Sequence, residues 1–157
     1  MTSGRALVLV MLLMRCGAPL PPSSDAGLCV ASFTPGTTDT PDGGFVAFTE
    51  GQDLGVHAGP QGGFHLFVGV ETTGLPRAGK LRWAVSSQSG VELGARVLDV
   101  STLSLEDAPC GWARRRDVLI FDNTDEVPGY RGVPARLELQ VGEPDAGLRW
   151  SSTIVPR

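Results

Sequence analysis

The feature that most constrains the fold of this chain is a hydrophobic period of two residues, repeated over most of the sequence after residue 28. Leu81, Trp83 and Val85 alternate with more polar neighbours, and the segments Ala135–Val141 and Leu148–Ile154 repeat the pattern. Such alternation is typical of half-buried β-strands. No segment has the 3.6-residue period of an amphipathic helix, so the sequence indicates an all-β protein.

Turn signals rich in glycine and proline separate the alternating segments, as expected of a chain that reverses direction often. These are Pro35-Gly36, Asp42–Gly44, Gly59–Gly63, Ser89-Gly90 and Glu143–Gly147. We expect a first strand that begins near Cys29 and ends at Pro35-Gly36, and a later strand over Asp117–Phe121. The spacing predicts about seven to eight strands in an antiparallel Greek-key β-sandwich over residues 28–157.

The last two alternating segments, joined through Gly147, resemble the closing hairpin of immunoglobulin and fibronectin type III domains. Trp83 lies where those domains carry their core tryptophan. The resemblance implies an immunoglobulin-like sandwich. The stretch Gly59–Val68 is also similar to a segment of uncharacterised bacterial lipoproteins with such domains, and that resemblance implies no activity.

The N-terminus predicts export. Arg5 precedes the apolar run Ala6–Met14, and a basic start followed by a short apolar run is typical of a secretory signal peptide. The run is shorter than the ~20 residues that a membrane-spanning helix requires. We therefore expect residues 1–15 to be a signal peptide and the Pro-rich residues 16–27 to be a tether.

The segment Leu13–Gly17 resembles the lipobox of bacterial lipoproteins, which implies lipidation at Cys16. Gly17 in second place resembles outer-membrane sorting. The alternatives are simple secretion to the periplasm or exterior after cleavage at Ala18, and an uncleaved anchor.

The chain has three cysteines. If Cys16 carries the lipid, Cys29 and Cys110 remain as a disulfide pair for an oxidising compartment, with free buried thiols as the alternative.

Charge restricts the partners. The formal net charge is −4, and loss of Arg5 and Arg15 with the signal peptide makes it about −6. Nucleic acids and anionic membrane surfaces require a basic footprint, so we expect neither as a partner. We expect instead another envelope protein or a surface polymer, with membrane contact only through the N-terminal lipid.

Two groups of residues are candidates for metal binding. His57 and His65 lie eight residues apart on either side of the Gly-rich turn, where a hairpin would bring them together for copper or zinc. Asp122, Asp125 and Glu126 offer the oxygen ligands that Ca²⁺ prefers. The alternatives are a hydrogen-bonded strand histidine and a solvated Asx turn. We therefore expect no obligatory cofactor, with Ca²⁺ or Cu/Zn as options.

Trp112 followed by Arg114, Arg115 and Arg116 is a candidate binding motif, because guanidinium groups beside an aromatic ring can hold a carboxylate, a phosphate or an acidic glycan. The alternative is a solvated loop.

No Gly-x-Ser-x-Gly motif is present and no Lys-Ser/Thr follows the Gly59–Gly63 turn. We therefore expect a non-enzymatic envelope protein that binds or scaffolds, or alternatively a secreted metal- or calcium-binding module.

Overall fold

The computed structural model of the protein describes residues 29–40, 42–60, 62–122 and 127–157. The predicted signal peptide, Cys16 and the predicted tether, together with Asp125 and Glu126, therefore lie outside the described residues. Within the described residues, no helix is long and apolar enough to cross a membrane.

The described chain forms eleven strands and two short helical turns. The elements are β1 (Ser32–Thr37), β2 (Val46–Ala47), β3 (Gln52–Leu54), β4 (His57–Ala58), β5 (Phe64–Thr73), β6 (Lys80–Ser87), β7 (Glu92–Asp99), a 3-10 turn (Val100–Thr102), β8 (Glu106–Ala108), β9 (Gly111–Ile120), α1 (Val127–Tyr130), β10 (Ala135–Gly142) and β11 (Leu148–Pro156). The predicted all-β class is confirmed. The count exceeds seven to eight because β2, β3, β4 and β8 have only two or three residues each, too few for a visible period.

The strands form two sheets. Sheet A has the order β2-β1-β5-β9-β8, with β4 also paired to β5, and sheet B has the order β3-β11-β10-β6-β7. All pairs are antiparallel except β3 with β11. The orders β1-β5-β9-β8 and β11-β10-β6-β7 correspond to the A-B-E-D and G-F-C-C′ arrangement of immunoglobulin-like sandwiches. The predicted Greek-key sandwich is therefore confirmed.

The core lies between the two sheets and is filled by the inward-facing residues of each alternating strand. Trp83 on β6 is fully buried, as the sequence predicts for a core tryptophan. Its largest fully buried companions are Trp112, Phe121, Leu54, Leu66, Leu81, Leu119, Leu137, Leu139 and Ile154. Because each such side chain contributes roughly 1.5–3 kcal/mol when buried, this layer is the main source of stability.

Two strand boundaries differ from the sequence-based expectation. The first strand does not begin near Cys29 or end at Pro35; β1 begins at Ser32 and continues to Thr37. The strand tolerates proline at this position. The Pro35 carbonyl accepts a hydrogen bond from the Phe48 N–H (3.0 Å), so the backbone of Pro35 faces away from β5. The N–H that proline lacks therefore breaks no hydrogen bond between β1 and β5.

The second difference concerns β9, which begins at Gly111 and not at Asp117. The strand carries a β-bulge opposite β5: Arg114 pairs with Val70 and Asp117 pairs with Val68, so three steps on β9 match two on β5. Arg115 and Arg116 thus both lie opposite Gly69. The bulge interrupts the two-residue period, which is why this part of the strand has the pattern of a loop.

Candidate functional site

His57 and His65 are direct partners across β4 and β5. The glycine-rich turn between them closes with hydrogen bonds from the Gly59 N–H to the Gly63 carbonyl (2.7 Å) and from the Gly62 N–H to the Gly59 carbonyl (3.1 Å). The two imidazole rings have centroids 5.8 Å apart and planes tilted by 30°. The predicted hairpin therefore brings the two histidines together.

Asp39 lies beside the His57 ring. Asp39 Oδ1 lies 3.0 Å from His57 Nε2, and this nitrogen is buried. The two atoms are within ion-pair distance, but their geometry is not that of a hydrogen bond. The Gly55 N–H donates to Asp39 Oδ2 (3.0 Å), and the Asp39 N–H donates to the Thr37 hydroxyl (2.9 Å). Asp39 is eighteen positions from His57 in an irregular segment, so no periodicity or motif in the sequence predicts this contact.

Phe67 lies at the centre of the cluster. Its ring centroid is 4.7 Å from that of His57 and 5.0 Å from that of His65, and the Arg116 guanidinium carbon is 4.4 Å from it. Partial burial lowers the pKa of His65, and electrostatic interactions with His57 and Arg116 lower it further. The His65 imidazole is therefore neutral at neutral pH, with its nitrogen lone pair available.

An apolar strip adjoins this cluster on the outer surface of sheet A. Phe64, Val118 and Ile120 line a groove of about 530 Å³ with the Gly-rich turn and His65. Ile120 is 51% exposed. We refer to the surface formed by His57, His65, Phe67, Arg116, Val118 and Ile120 as the histidine face.

The motif Trp112-x-Arg114-Arg115-Arg116 does not form a single surface. Trp112 is fully buried and its indole N–H donates to the Pro76 carbonyl (3.1 Å), so it is not available to a ligand. Arg115 lies 2.6 Å from Glu71 and also pairs with Glu106. Arg116 alone joins the histidine face, and within the described chain it has no acidic partner.

Arg114 turns inward to a buried ion pair. Asp117, whose side chain is only 2% exposed, lies 3.1 Å from Arg96 Nη1 and 3.5 Å from Arg114 Nε. The Val118 N–H donates to Asp117 Oδ1 (2.9 Å), and Arg96 donates to the Val118 carbonyl (2.7 Å). Arg96 and Asp117 thus bind the backbone of β9 where it has no partner strand, which protects that edge from pairing with other chains.

The acidic cluster is described only in part. Asp122 is exposed two residues after the end of β9, and its N–H donates to the Leu93 carbonyl (2.8 Å). In the described part of the chain, no three His, Cys, Asp or Glu side chains converge as metal ligands. The calcium prediction, which also involves Asp125 and Glu126, remains a prediction.

Cys29 and Cys110 form a disulfide with Cα atoms 6.1 Å apart, which confirms the predicted pairing. The bond joins the segment before β1 to the β8–β9 turn. Cys110 has a positive φ of 62°, and its carbonyl accepts a hydrogen bond from the Gly74 N–H (2.7 Å) at the end of β5. The bond therefore ties together one end of sheet A.

No protein-family model, curated protein or solved structure is significantly similar to this chain.

Proposed function

We propose that this protein is an exported, lipid-anchored domain of the bacterial cell envelope, with a non-catalytic role in binding another envelope component. The disulfide between Cys29 and Cys110 is the observation that supports export most strongly. Disulfides persist in the periplasm and outside the cell, whereas cytosolic thiols are kept reduced. The apolar run Ala6–Met14 and the lipobox-like segment before Cys16 support the same route.

The histidine face supports a binding role. It combines a half-exposed isoleucine, an apolar groove and a cation, Arg116, that has no acidic partner among the described residues. An exposed apolar surface beside an unpaired charge is typical of interaction sites. The charge of Arg116 favours an acidic segment of a partner protein, since such a segment supplies the missing carboxylate.

The outer surface of sheet B offers a contrast. Two of its arginines are paired with carboxylates, Arg82 with Glu92 (2.6 Å) and Arg136 with Glu138 (2.9 Å), whereas Arg149 donates to the Pro144 carbonyl (2.6 Å). Val97, a large apolar side chain on this surface, lies beside Arg82 in the ladder and is 59% exposed. Since Arg82 and Arg136 are already neutralised and Arg149 is held by a backbone carbonyl, sheet B is the weaker candidate for the binding surface.

Site-specific photo-crosslinking in intact cells tests the proposed binding surface. A benzoylphenylalanine introduced in place of Ile120 should give one discrete crosslinked product, whereas the same group in place of Val97, at similar exposure on the opposite sheet, should give none. Arg116→Gln should reduce the Ile120 product several-fold, because it removes the cation. Equal products from both positions, or a product insensitive to Arg116→Gln, would contradict the proposal.

A further inference from the structure

We propose that His57 and His65 form a two-histidine site for a divalent transition-metal ion, with Asp39 orienting His57. This inference does not depend on the binding role proposed above, because it rests only on the geometry of β4, β5 and the segment that holds Asp39.

The separation of the two rings fits one shared ion. Metal–nitrogen bonds of roughly 2.0–2.1 Å place an ion roughly 3.2 Å from each imidazole centre, so two rings on one ion have centroids at most roughly 6.4 Å apart. The observed separation is 5.8 Å. Because the two residues face each other across the β4–β5 ladder, the backbone holds both side chains on one face of the sheet.

Asp39 gives His57 the environment of a metal ligand. Metal-binding histidines usually direct their second ring nitrogen at a carboxylate or carbonyl group, which fixes the ring orientation. His57 Nε2 is buried 3.0 Å from Asp39 Oδ1, and that carboxylate is itself held by the Gly55 N–H. His57 Nδ1 is therefore the nitrogen left for a metal.

The local charge is balanced. Arg116 is the fixed cation that acts on His65, and it opposes the approach of a second positive charge. Asp39 offsets it with one negative charge.

The donor set determines which ion is expected. Imidazole nitrogens suit Cu²⁺ and Zn²⁺, and Cu²⁺ binds more tightly in the Irving–Williams order, whereas Ca²⁺ prefers oxygen ligands. No third His, Cys, Asp or Glu side chain converges on the pair within the described residues. Water would fill the remaining positions, so we expect a dissociation constant in the micromolar range.

Calorimetry and electron paramagnetic resonance with Cu²⁺ test the site on the full chain, purified in detergent without a histidine tag. The chain contains only these two histidines, so imidazole-nitrogen coupling in the spectrum can come from no other side chain. We expect one Cu²⁺ per chain with coupling to two nitrogens, weaker binding of Zn²⁺, and no binding of Ca²⁺ at these residues.

Three variants and one control separate the metal site from a structural role of the same residues. His57→Gln and His65→Gln should each weaken Cu²⁺ binding at least tenfold, and Asp39→Asn should weaken it by roughly tenfold, as loss of an outer-shell partner does. Glu138→Gln, which changes a carboxylate on sheet B, should leave the affinity unchanged. Full Cu²⁺ affinity in both glutamine variants, a spectrum without imidazole nitrogen, or no binding below millimolar Cu²⁺ would overturn the proposal.

Discussion

Asp117 carries the most deeply buried charge among the described residues, and its neighbours explain how the fold tolerates it. Isolation of a carboxylate from water costs several kcal/mol unless cations and hydrogen-bond donors surround it. Arg96, Arg114 and the Val118 N–H supply them. The ion pair also holds the strand edge of β9, so its effect extends beyond the pair itself.

Replacement of this carboxylate should destabilise the fold. We expect Asp117→Asn to lower the free energy of unfolding by about 2–3 kcal/mol, below the roughly 3–5 kcal/mol for a fully buried pair, because both arginines remain partly exposed. Urea denaturation measures the loss. Glu138→Gln, which breaks the exposed pair with Arg136, is the matched control and should change stability by no more than about 0.5 kcal/mol. Similar losses in the two variants would contradict this account.

Residue identity alone predicts only part of the candidate site. The pairing of His57 with His65 follows from their spacing around a glycine-rich turn, and the structure confirms this pairing. The contact of Asp39 with His57 does not follow from any pattern, since it depends on where an irregular segment packs. The three adjacent arginines have three different environments, because the strand that carries them is bulged.

At the scale of single elements, the two-residue period is a good guide wherever a strand is long and regular. The predicted segments around Leu81–Val85, Ala135–Val141 and Leu148–Ile154 correspond to β6, β10 and β11. The period fails at β9, where the bulge shifts the alternation by one residue. It also fails for the two- and three-residue strands, whose positions are set by pairing with longer neighbours.

The bulge in β9 requires a glycine opposite it. A Cβ atom at Gly69 would collide with the backbone carbonyl of Arg115, which flexible side chains cannot relieve. We expect Gly69→Ala to lower the free energy of unfolding by about 1–3 kcal/mol, the usual cost of overpacking. Gly44→Ala, where a Cβ would make only ordinary contacts at 3.4 Å and beyond with Asp42, is the control and should be close to neutral in the same urea titration.

If Gly69→Ala proves as stable as the unsubstituted protein, the register that places Gly69 of β5 opposite the bulge in β9 is wrong. Because this register also sets which face of β9 carries Arg116, such a result would remove Arg116 from the histidine face. The Gly69 experiment is therefore an independent check on the proposed binding surface.

At the scale of the whole molecule, the Greek-key sandwich could be predicted from the alternating segments and their turns, whereas the order of the strands in each sheet comes from the structure. The pairing of Cys29 with Cys110 could be predicted only after Cys16 had been assigned to the lipid, since spacing alone does not identify partners. The details that the sequence does not predict are the short edge strands and the buried ion pair, which arise from contacts between distant segments.

The disulfide spans 81 positions in sequence, so its removal should affect stability strongly. The loop-entropy argument gives about 4 kcal/mol for a loop of this length. Replacement of both Cys29 and Cys110 by alanine should lower the free energy of unfolding by about that amount in urea denaturation. Chemical reduction of the unsubstituted protein should give a similar loss. A double variant as stable as the oxidised protein would contradict a structural role for the bond.

The central claim, export of a lipid-anchored and disulfide-bonded domain, is tested most directly by the intact mass of the protein recovered from the bacterial envelope. We predict a chain that begins at Cys16, carries a lipid, and gains the mass of two hydrogen atoms on reduction as the Cys29–Cys110 bond opens. A chain that retains Met1 and has both thiols free before reduction would contradict the account.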